Sequence, residues 1–362
     1  MVKICQIIGY FKQPNNAFYM KRTIMKNFSN EKYKFFLFIQ DNMRYIYTNN
    51  YLENKDNVTF FKNNNELKLL LKDIDYIILT LDLEHWWQCI YDFNPTKIFY
   101  IAHGVTNHCA DYNFCKNIYK NWSYNKINLC LVSQVQYNIV SSLKKNVFKI
   151  NTIPQFDNYL CKQPLKDNNI LIIDNGNLNF VASASIDVLN KSRFEIYKIL
   201  MQDFSKMSIY YKGWGHDYNR DNIIKSFPNI KNITYKNNLI YDYFFCDIII
   251  CIHFSTAYIE ALLNNSKVIF ITFDLLHNLD EKNDRFIYFS SFNSEKYPHL
   301  LFAPDLSTLE KHLNTIKTNP NYFETEEYLK DKNQFIKDSI GEYIPNVSKQ
   351  LIDIIEKVEA NN

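Results

Sequence analysis

Cys246-Asp247-Ile248-Ile249-Ile250-Cys251-Ile252-His253-Phe254-Ser255-Thr256-Ala257-Tyr258-Ile259-Glu260, continued by Ala261-Leu262-Leu263 and Lys267-Val268-Ile269-Phe270-Ile271, sets the reading of the whole chain. It reads as a buried strand, a turn with two small hydroxyls, a short helix and a second buried strand. Ser255 and Thr256 fall where the helix begins. There, unpaired backbone N–H groups and the positive end of the helix dipole favour an anion, and the hydroxyls add donors. The pattern suits a diphosphate. An ordinary Ser/Thr cap without a ligand gives the same sequence.

The apolar runs on either side extend this pattern. Val2 to Ile8, Lys34 to Gln40, Asn57 to Phe61, Tyr76 to Thr80, Lys97 to Ala102 and Asn128 to Ser133 read as strands covered on both faces. Helical-length segments separate them, among them Asn16 to Phe28, Asn65 to Asp73 and Gln134 to Leu143. Pro154 to Pro164 has no periodicity and reads as a linker. The rhythm then restarts, with strands at Asn169 to Ile173, Ser208 to Tyr211, Ile230 to Tyr235, Asp247 to Ile252 and Val268 to Thr272. Helices are expected at Arg193 to Phe204, Ile240 to Phe245 and Thr256 to Asn264, with a turn near Asp221 to Phe227.

Alternating strands and helices imply doubly wound parallel sheets, so the expected fold is α/β with two Rossmann-like domains facing across a cleft. The expected boundaries are 1–153, a linker at 154–168, a second domain at 169–340 and a C-terminal helix at 341–362 that packs back across the junction. Of six glycines, Gly9, Gly104, Gly176, Gly213 and Gly215 follow apolar runs, where a ligand approaches the strand ends.

Composition narrows the function classes. The 362 residues are 47% hydrophobic and 16% aromatic, enough for substantial cores. Lys and Arg total 41 against 38 Asp and Glu, and the +3 charge is spread singly along the chain. That excludes a nucleic-acid footprint. Asn63 to Asn65 and Asn237-Asn238 read as loops reflecting compositional bias. The eight cysteines form no CxxC pair, so buried reduced thiols are expected. No stretch has the apolar length of a membrane span and Met1 to Tyr10 lacks a cleavage site, which points to a cytoplasmic protein.

Three stretches carry a resemblance to a known family. Lys97-Ile98-Phe99-Tyr100-Ile101-Ala102-His103-Gly104 is similar to an acceptor-domain strand ending in a His-Gly pair. The Asp247 strand with Ser255-Thr256 and Ala257 to Ile271 is similar to a donor-domain pattern of aspartate, apolar strand, paired hydroxyls, acidic residue and Ala-Leu-Leu. Phe335 to Gly341 ahead of the final helix is a third, weaker match. Together they resemble the GT-B class of nucleotide-sugar transferases, especially the branch of CDP-glycerol glycerophosphotransferases and capsule-type glycosyltransferases. The chain departs from that pattern at Lys212-Gly213-Trp214-Gly215-His216, where the branch has Lys-Pro-His-Pro, and at Asn265-Ser266-Lys267, where it has Gly-Lys-Pro.

The resemblance implies a role for each matching residue. His103 becomes the general base for an acceptor hydroxyl, a task suited to an imidazole titrating near neutral pH. Ser255 and Thr256 hold the donor phosphates, and Glu260 accepts hydrogen bonds from the ribose, unless it is a solvated helix carboxylate. Lys212 and His216, beside Gly213, neutralise the leaving diphosphate, while Gly9 and Gly104 line the cleft.

The implied reaction is inverting, metal-independent sugar transfer from a UDP-, GDP- or CDP-linked donor to a glycan or other hydroxyl acceptor, with no cofactor. CDP-glycerol-type phosphoglycerol transfer, nucleotide-sugar 2-epimerisation and a catalytically silent binding scaffold are the alternatives. Asp82-Leu83-Glu84 resembles the acidic metal motif of the GT-A fold, but it also suits the first turn of a helix that buries Trp86-Trp87, and GT-A does not explain a second Rossmann-like half.

Overall fold

The computed structural model describes residues 1–8, 31–41, 57–79, 89–90, 92–101, 126–153, 167–174, 186–213, 220–232, 246–252, 256–272 and 294–361. The chain divides into two compact units, the first mainly residues 1–158 with Ser339–Asn362, the second mainly Tyr159–Asp338. The helices expected at Asn16 to Phe28 and Ile240 to Phe245 lie outside the described residues.

The first unit is a seven-stranded sheet of β1 (Val2–Ile8), β2 (Tyr33–Gln40), β3 (Val58–Phe61), β4 (Tyr76–Leu79), β5 (Ile98–Ile101), β6 (Asn128–Leu131) and β7 (Val147–Lys149). The order is β3-β2-β1-β4-β5-β6-β7, every pairing parallel. All four residues of β4, β5 and β6 are buried, which is why these strands read as unbroken apolar runs.

Helix α1 (Asn64–Leu70) joins β3 to β4, and α2 (Gln134–Ser141) joins β6 to β7. The Asn63 to Asn65 stretch is therefore not a loop. Asn63 is the N-cap, its Oδ1 accepting from the backbone N–H groups of Asn65 and Glu66, both at 3.0 Å.

Cys5, Ile7, Phe38, Ile77, Leu79, Ile98, Tyr100 and Leu129 form the core on one face of this sheet. The last helix, α8 (Val347–Ala360), belongs to the same unit. Tyr33 and Tyr76 donate to Glu356 (2.7 Å) and Glu359 (2.6 Å), and the Gln350 carboxamide accepts from the Asn151 N–H (2.9 Å). Lys149 fixes the segment before α8, donating to the carbonyls of Val132 (2.7 Å), Ile150 (2.9 Å) and Ile340 (2.5 Å). Gly341 follows with φ +80°, and a Cβ there would lie 2.8 Å from Gln134 Oε1.

The second unit is a six-stranded parallel sheet of β8 (Asp167–Asp174), β9 (Ser208–Gly213), β10 (Lys231–Asn232), β11 (Cys246–Ile252), β12 (Lys267–Ile271) and β13 (Leu301–Ala303), in the order β10-β9-β8-β11-β12-β13. Its helices are α3 (Ile186–Asp203), α4 (Arg220–Ser226), α5 (Thr256–Leu263), α6 (Leu306–Thr318) and α7 (Glu326–Ile340). Where the sequence suggests a turn near Asp221, α4 makes two helical turns.

On one face Tyr197 of α3 stacks edge-on against Tyr211 at 6.0 Å. On the other, Tyr258 of α5 packs against Phe270 (4.7 Å), Phe302 (6.0 Å) and Phe335 of α7 (5.4 Å). Such aromatic pairs add to plain area burial. Renumbered within each unit, both sheets run 3-2-1-4-5-6, with one further edge strand in the first. That is the doubly wound order whose ligands lie outside the strand ends where the order reverses.

Candidate functional site

In the second unit the reversal lies between β8 and β11, and the pairing there is unbroken to the end: Ile252 opposes Asp174, which opposes Gly213 on β9. Helix α5 starts four residues beyond β11. Ala, Leu and Glu favour a helix over its eight residues, and Ala257 to Leu262 are all buried. Its end is a Schellman closure. Asn265 adopts φ 58°, its N–H bonds Leu262 O (3.1 Å), and the Ser266 N–H bonds Ala261 O (3.0 Å). Asn is the usual substitute for Gly in that conformation, which explains Asn265-Ser266-Lys267 in place of Gly-Lys-Pro.

Charged side chains are rarely buried unless partnered. Among the described residues five are: Asp174, Arg193, Lys212, Glu260 and Lys332. Four of them belong to the rim of this sheet. Asp174, the last residue of β8, is fully buried; its Oδ1 accepts from Arg193 Nη2 (2.9 Å) and its Oδ2 from Tyr197 Oη (3.0 Å). Burial, then the Asp174 charge, raises the Tyr197 phenol well above its ordinary range.

Lys212, 3% exposed, precedes Gly213 by one residue and therefore projects to the opposite face from Asp174. It registers with Ile173, and Ile173 with Cys251, so Lys212 and Cys251 share a face two strands apart. Glu260, also 3% exposed, belongs to α5, which covers that face through Tyr258 on Phe270, the register partner of Cys251; burial and then the Glu260 carboxylate push the Cys251 thiol well up. The fifth charge, Lys332, is at the far end of α5, donating to Asn265 Oδ1 (2.6 Å).

The structure thus places Lys212 and Gly213 at the end of β9, next to the β8/β11 reversal, and half-buried Thr256 and Glu260 in α5, which follows β11. Glu260 is not a solvated helix carboxylate. His103, Gly104, Gly9, Ser255 and His216 lie outside the described residues, as do Asp82, Glu84, Trp86, Trp87 and the glycines at 176 and 215. Cys5, Cys89, Cys130, Cys246 and Cys251 are buried free thiols, and burial pushes Cys246 up to about 12. No described helix is long and apolar enough to cross a membrane.

The Asp174–Arg193–Tyr197 cluster is absent from the reading of the sequence, although a signal was present. Arg193 and Tyr197 stand four apart on a stripe continued by Leu200 and Phe204, and a cation on a buried stripe requires a carboxylate.

No protein-family model and no curated protein sequence matches the chain. Solved structures do match, along the whole length. A histidine-to-alanine variant of the wall teichoic acid polymerase TagF superposes with a TM-score of 0.63 at 12% identity, covering 99% of this chain and 90% of that one. A histidine-to-asparagine TagF variant soaked with CDPG gives 0.57 at 13%, covering 99% and 89%. UDP-N-acetylglucosamine 2-epimerase from Rickettsia bellii gives 0.58 at 13%, covering 100% and 98%. At such identities the likeness concerns the fold, and with two parallel sheets of the same doubly wound order it establishes that the chain has the two-domain GT-B fold.

Proposed function

We propose that the protein is a nucleotide-sugar-dependent transferase that moves a glycosyl group to a hydroxyl acceptor, with the donor held by the second unit. The observation that carries this reading is a buried ammonium, Lys212, on the strand next to the β8/β11 reversal, in a sheet whose helix α5 begins four residues beyond β11. Such a place favours negatively charged groups twice over, through the helix end and through a cation poorly screened by solvent. Ser255 and Thr256 then donate to the donor phosphates, and Glu260 takes the ribose hydroxyls. Lys212, with His216, stabilises the charge that develops on the departing diphosphate. This anion binding draws on the chain's own cations and helix end and calls for no metal.

In the first unit His103 is the proposed general base. The acceptor oxygen bonds to the anomeric carbon as its proton passes to the imidazole, the bond from that carbon to the phosphate oxygen breaks, and the nucleoside diphosphate leaves. The sugar inverts.

Thermal unfolding with UDP, GDP, CDP, ADP and CMP, and with their sugar or glycerol conjugates, tests the reading. A ligand at one hundred times its Kd stabilises by about 2.7 kcal/mol. For units of this size that raises Tm by about 5–10 °C. The expected result is a selective shift that Lys212→Met and Thr256→Ala each reduce. A CDP-glycerol response without one to nucleotide sugars reassigns the chain to phosphoglycerol transfer, and no shift with any nucleotide refutes the reading.

A further inference from the structure

Gln6 is fully buried in β1, and among the described residues neither its Oε1 nor its Nε2 has a hydrogen-bond partner. A carboxamide carries two donors and an acceptor, and burying all of them unmet is a cost that proteins seldom accept without a role. Its described neighbours across the sheet are apolar. Gln6 registers with Leu37 on β2 and Ile78 on β4, both fully buried, and Ile78 with Phe99 on β5.

Its place in the sheet is the second observation. The strand order of the first unit reverses between β1 and β4, the two strands at which Gln6 sits, and Gln6 is two residues from the end of β1. Ligands of doubly wound sheets lie at that point. Cys5 and Ile7 turn to the packed core, so Gln6 projects to the other face. On that face Tyr33 and Tyr76 hold α8 toward the strand beginnings.

We propose that Gln6 is a recognition residue for a polyol, its carbonyl accepting from one hydroxyl and its NH2 donating to a neighbouring one. Donor and acceptor side by side match vicinal hydroxyls. A phosphate would satisfy only the NH2, and a cation only the carbonyl. The inference rests on the proposed transferase reading, in which the first unit takes the hydroxyl acceptor.

The test uses the full chain labelled with 15N-glutamine, the Gln6 side-chain resonance being assigned by its absence in Gln6→Met. Glycerol and the methyl glycosides of glucose, galactose and N-acetylglucosamine serve as probes, with and without the nucleotide that stabilises the wild type. The expected result is that one probe moves the Gln6 resonance and binds Gln6→Met about tenfold more weakly, while Gln6→Met keeps the nucleotide shift and melts no lower than wild type. The shorter amide in Gln6→Asn should also weaken that probe.

A lower Tm for Gln6→Met, no movement with any probe, or unchanged probe affinity in the variant would each overturn the proposal. A wild type that takes a glycoside at Gln6 but no nucleotide refutes the transferase reading and keeps the polyol site. One that takes a nucleotide but moves Gln6 with no probe does the reverse.

Discussion

Replacing Arg193 by Met isolates what the buried cluster behind the second sheet contributes. The ion pair is screened by almost no solvent, since the Arg193 and Asp174 side chains are 3% and 0% exposed. Two unit charges about 4 Å apart interact by about 4 kcal/mol at an effective dielectric of 20. Removing one partner of a buried pair costs about 3–5 kcal/mol, because the remaining charge is left buried without its cation. Tyr197 still donates to Asp174 Oδ2 in the variant, which places the expected loss toward the lower end. With a urea m-value of about 2 kcal/mol/M, the unfolding midpoint followed by circular dichroism should fall by about 1.5–2 M.

The double variant Asp174→Asn/Arg193→Met decides whether the loss is electrostatic. It has no charge to strand and keeps an acceptor for Tyr197, so it should recover at least about 1 kcal/mol over Arg193→Met. A single variant losing less than about 1 kcal/mol, or a double variant no more stable than the single one, would refute this reasoning.

Two further outcomes concern the helix ends. Burial pulls the Lys149 ammonium down to about 7, so between pH 7 and its unfolded pKa of about 10.4 the unfolded chain holds the extra proton. Stability should therefore rise with pH through that window, as judged by the wild type minus Lys149→Met difference in unfolding free energy; a flat difference removes the effect. Asn265→Ala combines a left-handed backbone without Asn and a buried Lys332 without its 2.6 Å acceptor, and should lower stability by about 2–3 kcal/mol in urea denaturation.

The sequence shows its strands most clearly where both faces are covered. β1, β4, β5, β6, β11 and β12 are near-continuous apolar runs, and the structure places them within a residue or two of their expected bounds. What it hides is short or polar. β7 and β13 are three residues each, too few to show a period, and β8 begins with Asp167-Asn168 inside the expected linker. Helix α6 escapes because Leu309 and Leu313 are its only buried residues, and α3 starts seven residues early, through Ile186 to Ser192, where polar residues mask the periodicity. Of the candidate site, Thr256 is expected from its place at a helix start and Lys212 and Glu260 from the family resemblance, but their burial was not legible. It depends on sheet register and on which face α5 covers, neither of which is written locally. Gln6 was invisible for the same reason, as Lys3 and Gln6 in Val-Lys-Ile-Cys-Gln-Ile-Ile look alike in sequence, and only the sheet shows that Gln6 is fully buried.

The two reversals share a strand order but differ in what they bury. In the second unit the rim encloses two anions and two cations, with Asp174 and Arg193 on one face and Lys212 and Glu260 toward the other. Arg193 is engaged by Asp174 on the far face; on the proposed reading Lys212 and the start of α5 attract the anion and Glu260 accepts from hydroxyls. In the first unit the described part of the reversal buries no charge, only the Gln6 carboxamide among Leu37, Ile78 and Phe99. A neutral donor–acceptor pair in apolar surroundings discriminates by hydrogen-bond geometry and gains nothing from ligand charge. On the proposed reading this division is what a transferase needs. The phosphorylated partner is sorted by electrostatics in one unit, and the uncharged polyol by unmet hydrogen bonds in the other. Exchanging the two chemistries, with a cation at Gln6 or an amide at Lys212, should therefore impair each unit's own ligand without transferring its specificity. An amide at Lys212 cannot replace the missing charge, and a cation at Gln6 would be buried without an anion.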